Sequence, residues 1–269
     1  MTSWLGVLEA CSQRMKKEII ALHGSVEAKV GFGIGAGGDV SKKIDLAAEN
    51  ALIQTLQDSG VSCTLISEEA GTKELGSNPS SFYLVADPLD GTTNAVRGAP
   101  FMAISLAVSK RPYLRDVETA LVCDPVHGVT YTAERGRGAF RNRERIQSSL
   151  TTSLEEAVIG VDFNTFKIRE LMPRLTPLLE KTRHLRHFGA DALELCYVAD
   201  GKTDAFIDIR DKLRVTDIAA AYLVLREAGG IIVTPEGNEL DAALDATQRV
   251  AFIAAANKTF YAEVQKLLK

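Results

Sequence analysis

Phe82-Tyr83-Leu84-Val85-Ala86-Asp87-Pro88-Leu89-Asp90-Gly91-Thr92-Thr93-Asn94 runs from apolar residues into two aspartates and then into a turn. The apolar part predicts a buried strand, and Gly91-Thr92-Thr93-Asn94 supplies turn and helix-cap chemistry. Both aspartates are therefore expected at a strand end, beside backbone N–H groups left open at the start of a helix. Earlier in the chain, Cys63 to Ile66 is a second short apolar run, and it too stops at acids, Glu68 and Glu69. Strands that end in carboxylates deliver them to a sheet edge.

On the N-terminal side, residues 3–23 place Leu5, Leu8, Met15, Ile19 and Leu22 at near-helical spacing. Residues 44–59 do the same with Leu46, Ala47, Ala51, Leu52 and Leu56, so two amphipathic helices are predicted. Between them, Gly31 to Asp39 holds five glycines in nine residues. A fixed helix or strand there would lose much backbone entropy, and a mobile segment is expected. On the C-terminal side, strands are predicted at 102–108, 117–123 and 129–133 and, after the polar stretch 141–153, at 158–161, 205–209, 230–234 and 250–255. Helices are predicted at 166–179, 190–199, 215–228 and the C-terminal end. Helices with antiparallel strands first, then strands alternating with helices, point to a layered α+β or mixed α/β sandwich. With no internal repeat or linker, residues 1–269 read as one unit, with approximate halves 1–145 and 146–269 and a cleft between them.

A chain of 269 residues, 46% apolar, has the material for a substantial core. The formal charge is −4 and the basic residues are scattered, which argues against a nucleic-acid groove or an anionic-membrane patch. Cys11, Cys63, Cys123 and Cys196 stand far apart with no CxxC pair, as expected of free thiols in a reducing cytoplasm. Residues 1–23 lack a signal-peptide core, and no apolar run reaches the length of a membrane span.

The acids carry the chemistry. Glu68, Asp87, Asp90 and Asp217 offer hard oxygen ligands of the kind Mg²⁺ takes, and open amides at Gly91 and Thr92 suit a phosphate oxygen. Carboxylates alone repel phosphate, whereas carboxylates filled with a divalent ion attract it. Each residue also has a plainer reading: an Asx-turn pair for Asp87 and Asp90, a helix N-terminal acid for Asp217, a helix-face acid for Asp45, a solvated acid for Glu69 and a simple cap for Thr92.

Asp87-Pro88-Leu89-Asp90-Gly91-Thr92-Thr93, with Ser67-Glu68-Glu69-Ala70-Gly71 before it and Asp217-Ile218-Ala219-Ala220 far after it, resembles the inositol monophosphatase family of lithium-sensitive, metal-dependent phosphatases. The three motifs fall in the family's order, and the resemblance spans essentially the whole chain. It implies a five-layered αβαβα sandwich, a homodimer, and a cytoplasmic phosphatase that uses two to three Mg²⁺ ions, with Mn²⁺ as a substitute. By the same resemblance, Glu68, Asp87 and the Leu89 carbonyl bind a first ion, Asp87, Asp90 and Asp217 bind a second, and a weaker third lies near Glu68. Asp45 would pair with Thr92 to help deprotonate the attacking water, and the segment from Gly31 to Lys43, with Asp39, would close over the metals.

The animal pattern of this family has tryptophan immediately before the last aspartate; here that residue is Thr216, and the single tryptophan is Trp4. The run from Asp208 to Asp217 looks instead like the archaeal and thermophile branch, whose members hydrolyse both fructose 1,6-bisphosphate and inositol 1-phosphate. That resemblance gives Asp208 the substrate hydroxyls and makes Gly189, Ala190 and Asp191 a substrate-contacting turn. Arg186, Arg210 and Arg214 are candidates for a distal phosphate, with exposed arginines on a basic face as the plainer reading. The expected substrate is a small phosphorylated sugar or polyol, and the leading expectation is a gluconeogenic fructose-1,6-bisphosphatase with inositol-phosphatase activity. An inositol monophosphatase alone, a nucleotide 3'-phosphatase and a noncatalytic regulatory partner are the alternatives.

Overall fold

The computed structural model describes residues 3–268. Helices α1 (Trp4–Leu22) and α2 (Lys43–Asp58) are joined through the short hairpin β1 (Gly31–Ile34) and β2 (Val40–Lys42). A large sheet follows, made of β3 (Cys63–Ser67), β4 (Gly71–Leu75), β5 (Tyr83–Asp90), β6 (Ala103–Ser109), β7 (Val117–Asp124), β8 (Val129–Glu134), β9 (Gly138–Arg141) and β10 (Glu144–Arg145). Its order is β10-β9-β8-β7-β6-β5-β3-β4, antiparallel throughout except where β3 runs parallel to β5. The brief helix α3 (Thr92–Arg97) leaves the end of β5. A second sheet of β11 (Val158–Val161), β12 (His184–Arg186), β13 (Ala205–Arg214), β14 (Ile231–Val233) and β15 (Arg249–Ala255) has the order β12-β11-β13-β15-β14. Helices α4 (Ile168–Leu179), α5 (Asp191–Ala199), α6 (Val215–Glu227) and α7 (Lys258–Leu267) complete the described residues.

Successive strand residues face opposite sides of a sheet, and the chain uses this to fill three cores. Leu84, Leu106 and Leu121 pack against Leu8, Met15 and Leu52 of α1 and α2. Their neighbours Val85, Ala107 and Val122 face the other way, into a core with Leu193, Ile218, Tyr222 and, from the second sheet, Phe206 and Phe252. Ile159, Ile207 and Ile253 use the outer face of the second sheet to bury Leu171, Leu175 and Phe260 of α4 and α7. The layers are therefore α1/α2, sheet, α5/α6, sheet, α4/α7, the five-layered αβαβα sandwich that the resemblance implied. Helix α6 lies between two sheets and is buried without interruption from Val215 to Leu225. A helix in that position needs no polar stripe, so the buried Asp217 within it calls for a reason other than solvation.

The glycine-rich segment departs from its expected mobility. It forms β1 and β2, paired antiparallel across an irregular register, because its backbone finds partners outside itself. Ala36 N–H donates to the Glu69 carbonyl at 3.2 Å and Gly37 N–H to the Glu68 carbonyl at 2.8 Å. Two edge strands, β4 and β12, escape the apolar-run criterion, since most of their residues are exposed. Among the described residues no helix is long and apolar enough to cross a membrane.

Candidate metal centre and substrate cleft

Pro88 has no N–H to give to a sheet ladder, and β5 accommodates it with a bulge. Asp87 stands opposite Ser105 and Asp90 opposite Ala103, so one more residue is used on β5 than on β6. The bulge brings both aspartates to the same end of the sheet. Leu89 N–H closes the turn on Asp87 Oδ1 at 3.0 Å. Gly91 then adopts φ +86°, and a Cβ there would meet Ala190 Cβ and the Gly189 carbonyl, each at 3.1 Å. Only glycine suits that conformation and that approach.

Asp45 and Asp217 occupy equivalent places, each the third residue of its helix. Asp45 accepts the Lys42 N–H at 2.8 Å and Asp217 accepts the Arg214 N–H at 3.0 Å. In both cases that bond uses Oδ2. It fixes the rotamer and leaves Oδ1 for the site: Asp45 Oδ1 accepts the Thr92 hydroxyl at 2.8 Å, and Asp217 Oδ1 accepts the Thr216 hydroxyl at 3.0 Å. Thr216, which stands where the animal pattern has tryptophan, thus orients the last aspartate.

These residues line a cleft of about 950 Å³ whose walls also include Asn164, His187, Gly189, Arg210, Lys212 and Arg249. In it Glu68, Asp87 and Asp217 each present an oxygen within 4.8 Å of the others. Asp90 lies alongside with Oδ2 held by the Ala192 N–H at 2.7 Å. Burial first, and the charge of Asp217 second, push Glu68 and Asp90 up to about 8. Burial, then Glu68, Asp217 and Asp90, hold Asp87 well above the usual carboxylate range, and burial also raises Asp217. So many buried acids ionise together only beside added positive charge. A donor set of carboxylate oxygens and the Leu89 carbonyl fits a hard divalent cation.

The structure brings Asp45, Glu68, Asp87, Leu89, Asp90, Gly91, Thr92, Gly189, Arg210 and Asp217 to the cleft wall. Three other expected substrate contacts lie elsewhere. Asp208 is fully buried and spends its carboxylate on Arg210, accepting Nε at 2.9 Å. Ala190 packs behind Gly91 instead of lining the cleft. Arg186 is exposed on β12, where Nη1 donates to the Leu185 carbonyl at 2.8 Å, away from the cleft. Arg210 itself is clamped, 2.6 Å from Asp162 and also paired with Asp208. Glu69, whose plainer reading was a solvated acid, lines the cleft and accepts the Ser41 hydroxyl.

Asp162 and Glu194 had no signal in the sequence, and the grouping of Asp162 with the expected Asp191 and Asp208 had none either. Asp162, Asp191 and Asp208 form a second group of carboxylates within 4.8 Å of one another, on β11's end, α5 and β13. Glu194 holds the Phe188–Gly189 turn by accepting both N–H groups at 3.0 Å. Asn94 ties that turn to α3, donating to the Phe101 and Phe188 carbonyls at 2.7 and 2.8 Å. Asn94 follows the Gly91-Thr92-Thr93 motif directly, and that adjacency alone could have marked it.

Residues 9–269 match the family model described as the inositol monophosphatase family. The chain is 36% identical to a fructose-1,6-bisphosphatase/inositol-1-monophosphatase of Methanothermobacter thermautotrophicus, over 99% of this chain and 96% of the relative. It is 34% identical to a bifunctional NADP phosphatase/NAD kinase of Methanococcus maripaludis, over 90% of this chain but 45% of that protein. Among solved structures, an inositol monophosphatase-fructose 1,6-bisphosphatase superposes with a TM-score of 0.86 at 30% identity, over 99% of this chain and all of the other.

Proposed function

Since this chain belongs to the inositol monophosphatase family, we propose that it is a magnesium-dependent phosphomonoesterase that hydrolyses both fructose 1,6-bisphosphate and inositol 1-phosphate. The observation that carries this reading is the convergence of Glu68, Asp87 and Asp217 oxygens within 4.8 Å, next to the Thr92–Asp45 hydrogen bond of 2.8 Å. Glu68, Asp87 and the Leu89 carbonyl would hold one ion, and Asp87, Asp90 and Asp217 another. Bound there, Mg²⁺ supplies a lowered water pKa and charge neutralisation on the phosphoryl oxygens.

The chain's own residues do the rest. Thr92 donates its hydroxyl hydrogen bond to Asp45, which leaves its oxygen to accept a hydrogen bond from an incoming water; as the water is deprotonated, Thr92 takes its proton while passing its own to Asp45. Burial pushes Asp45 up to about 6, and a group that titrates near neutrality is suited to accepting that proton. The Gly91 and Thr92 amides, on the cleft wall, would meet a non-bridging oxygen of a bound phosphate. Across the cleft, Lys212 has no ion-pair partner among the described residues and is placed to meet the second phosphate of a bisphosphate. The family also supports a homodimer and a cytoplasmic location, which light scattering and fractionation would check.

The test is phosphate release from fructose 1,6-bisphosphate and inositol 1-phosphate, side by side, with Mg²⁺ and with EDTA. Metal-dependent turnover of both supports the dual reading, and turnover of one alone narrows it to that substrate. The resemblance to an NADP phosphatase/NAD kinase adds NADP to the panel. Release from NADP alone would replace the sugar-phosphate reading with a nucleotide one.

A further inference from the structure

Arg214 sits where the acids of the cleft meet the glycine-rich hairpin, with a side chain only 9% exposed. Its Nη1 lies 2.7 Å from Glu68 Oε1 and 4.0 Å from Asp217 Oδ2, its Nη2 pairs with Asp39, and its Nε donates to the Gly37 carbonyl at 3.2 Å. A Cβ on Gly37 would fall 2.5 Å from Arg214 Nε and 2.9 Å from Glu68 Cγ. The hairpin therefore closes onto the guanidinium only because residue 37 is glycine. Arg249, from β15, secures the same carbonyl at 2.8 Å.

We infer that the Arg214 guanidinium is a built-in cation that takes the place of a third divalent ion, so that this chain needs only two. The inference rests on the metal-dependent reading above. The family resemblance sets a third ion near Glu68, and in this chain it is Arg214 that lies there, bridging Glu68 and the hairpin's Asp39. Arginine suits the position better than lysine. Its planar fork reaches Glu68, Asp39 and the Gly37 carbonyl at once, and it keeps its charge at every working pH. A dissociable ion would leave the hairpin open at low metal concentration; a covalently attached cation keeps Asp39 and Gly37 in place at any concentration.

The experiment is equilibrium dialysis of the metal-stripped chain against Mg²⁺, with and without inorganic phosphate, and bound metal counted by elemental analysis. Wild type is expected to saturate at two ions per chain and Arg214→Ala at three, the extra ion entering the vacated place. Without metal, hydrogen exchange at the Gly37 and Gly38 amides should speed up about ten-fold or more in Arg214→Ala, as expected when a local latch is removed. Three ions in wild type, or two in both proteins, would overturn the inference. Fewer than two in wild type would instead sink the metal-centre reading on which it rests. Should Arg214→Ala not fold, the wild-type count still decides.

Discussion

Two groups of acids border the cleft, and each brings three carboxylate oxygens within 4.8 Å of one another. In the group of Asp162, Asp191 and Asp208, a guanidinium fills the middle: Arg210 is 6% exposed and pairs with both Asp162 and Asp208. In the group of Glu68, Asp87 and Asp217, Arg214 reaches only the edge, and Asp87 has no cation near it among the described residues. In the first group Arg210 compensates Asp162 and Asp208 at close range and fixes β13 and the rim of the cleft, while Asp191, its Oδ1 without a hydrogen-bond partner, is held well above the usual carboxylate range by burial and by Asp90. The second is left short of positive charge around an open space, the condition that marks a functional site. Proximity of carboxylates does not distinguish the two; charge compensation does.

The contrast predicts opposite behaviour on removing one charged side chain from each group. Asp87→Asn should lower turnover by about 10³-fold or more, since a metal ligand is lost, while leaving the metal-free protein as stable as wild type or more so, because a buried like charge is gone. Phosphate release and thermal melting on the same variant check both halves. A variant that keeps its activity would show that Asp87 is not at the reacting centre. Arg210→Ala should do the reverse and destabilise the fold by about 3–5 kcal/mol, as removal of one partner of a buried pair does. Urea unfolding reads that directly, and a loss below about 1 kcal/mol would mean that Arg210 is not the closing charge of its group.

The residues themselves make the open group conspicuous in the sequence and the other group inconspicuous, for a physical reason. Glu68, Asp87 and Asp90 end apolar strands, and Asp217 sits inside an apolar helix, so each acid interrupts a pattern and is conspicuous. Asp191 and Asp208 were marked only by the family resemblance and Asp162 not at all, because the three lie in ordinary helix-start, strand and loop positions and only folding brings them together around Arg210. β13 was foreseen as far as Ile209, but the charged run Arg210-Asp211-Lys212 concealed its continuation to Arg214. There the chain bulges, with Asp208 opposite Phe252 and Leu213 opposite Val250, and Asp211 adopts φ +55°. The glycine-rich hairpin was read as mobile because its order comes from Glu68, Glu69, Arg214 and Arg249, none of which is local to it.

Within the open group the hydroxyl of Thr92 is the most specific handle on proton movement. Thr92→Val keeps the shape and removes the donor to Asp45, and turnover should fall about 100-fold with little change in KM, the size of effect that a lost proton acceptor produces. Thr92→Ser should restore most of it. A rise in KM with unchanged kcat would make Thr92 a binding residue instead.

The two groups also differ in how stability responds to pH and metal. Glu68 and Asp90, raised to about 8 by burial and by Asp217, hold protons in the folded chain that they give up on unfolding. The unfolded state therefore binds fewer protons between the ordinary carboxylate range and pH 8, and the metal-free protein should lose stability as pH rises through that window. Mg²⁺ competes with those protons, so the rise in Tm on adding it should be larger at pH 8.5 than at pH 6.5. In the other group Asp191 and Asp162 are also raised, by burial first, and should add to the pH trend, whereas Arg210, paired with Asp162 and Asp208, should keep that group's share of the Mg²⁺ response small. An Mg²⁺ response independent of pH would show that these carboxylates are not the ligands.

The smallest expected effect concerns the far end of the cleft. If the open group holds one phosphate, the second phosphate of a bisphosphate needs a cation that is not already spent. Arg210 is spent on Asp162 and Asp208, and Arg186 points its guanidinium at the Leu185 carbonyl outside the cleft. Lys212 lines the cleft and has no ion-pair partner among the described residues. Lys212→Ala should raise KM for fructose 1,6-bisphosphate about ten-fold, about 1.4 kcal/mol of lost binding, and leave inositol 1-phosphate within two-fold of wild type. Arg186→Ala should change neither. An equal loss on both substrates would place Lys212 at the shared phosphate, and a loss confined to Arg186→Ala would move the distal site to β12.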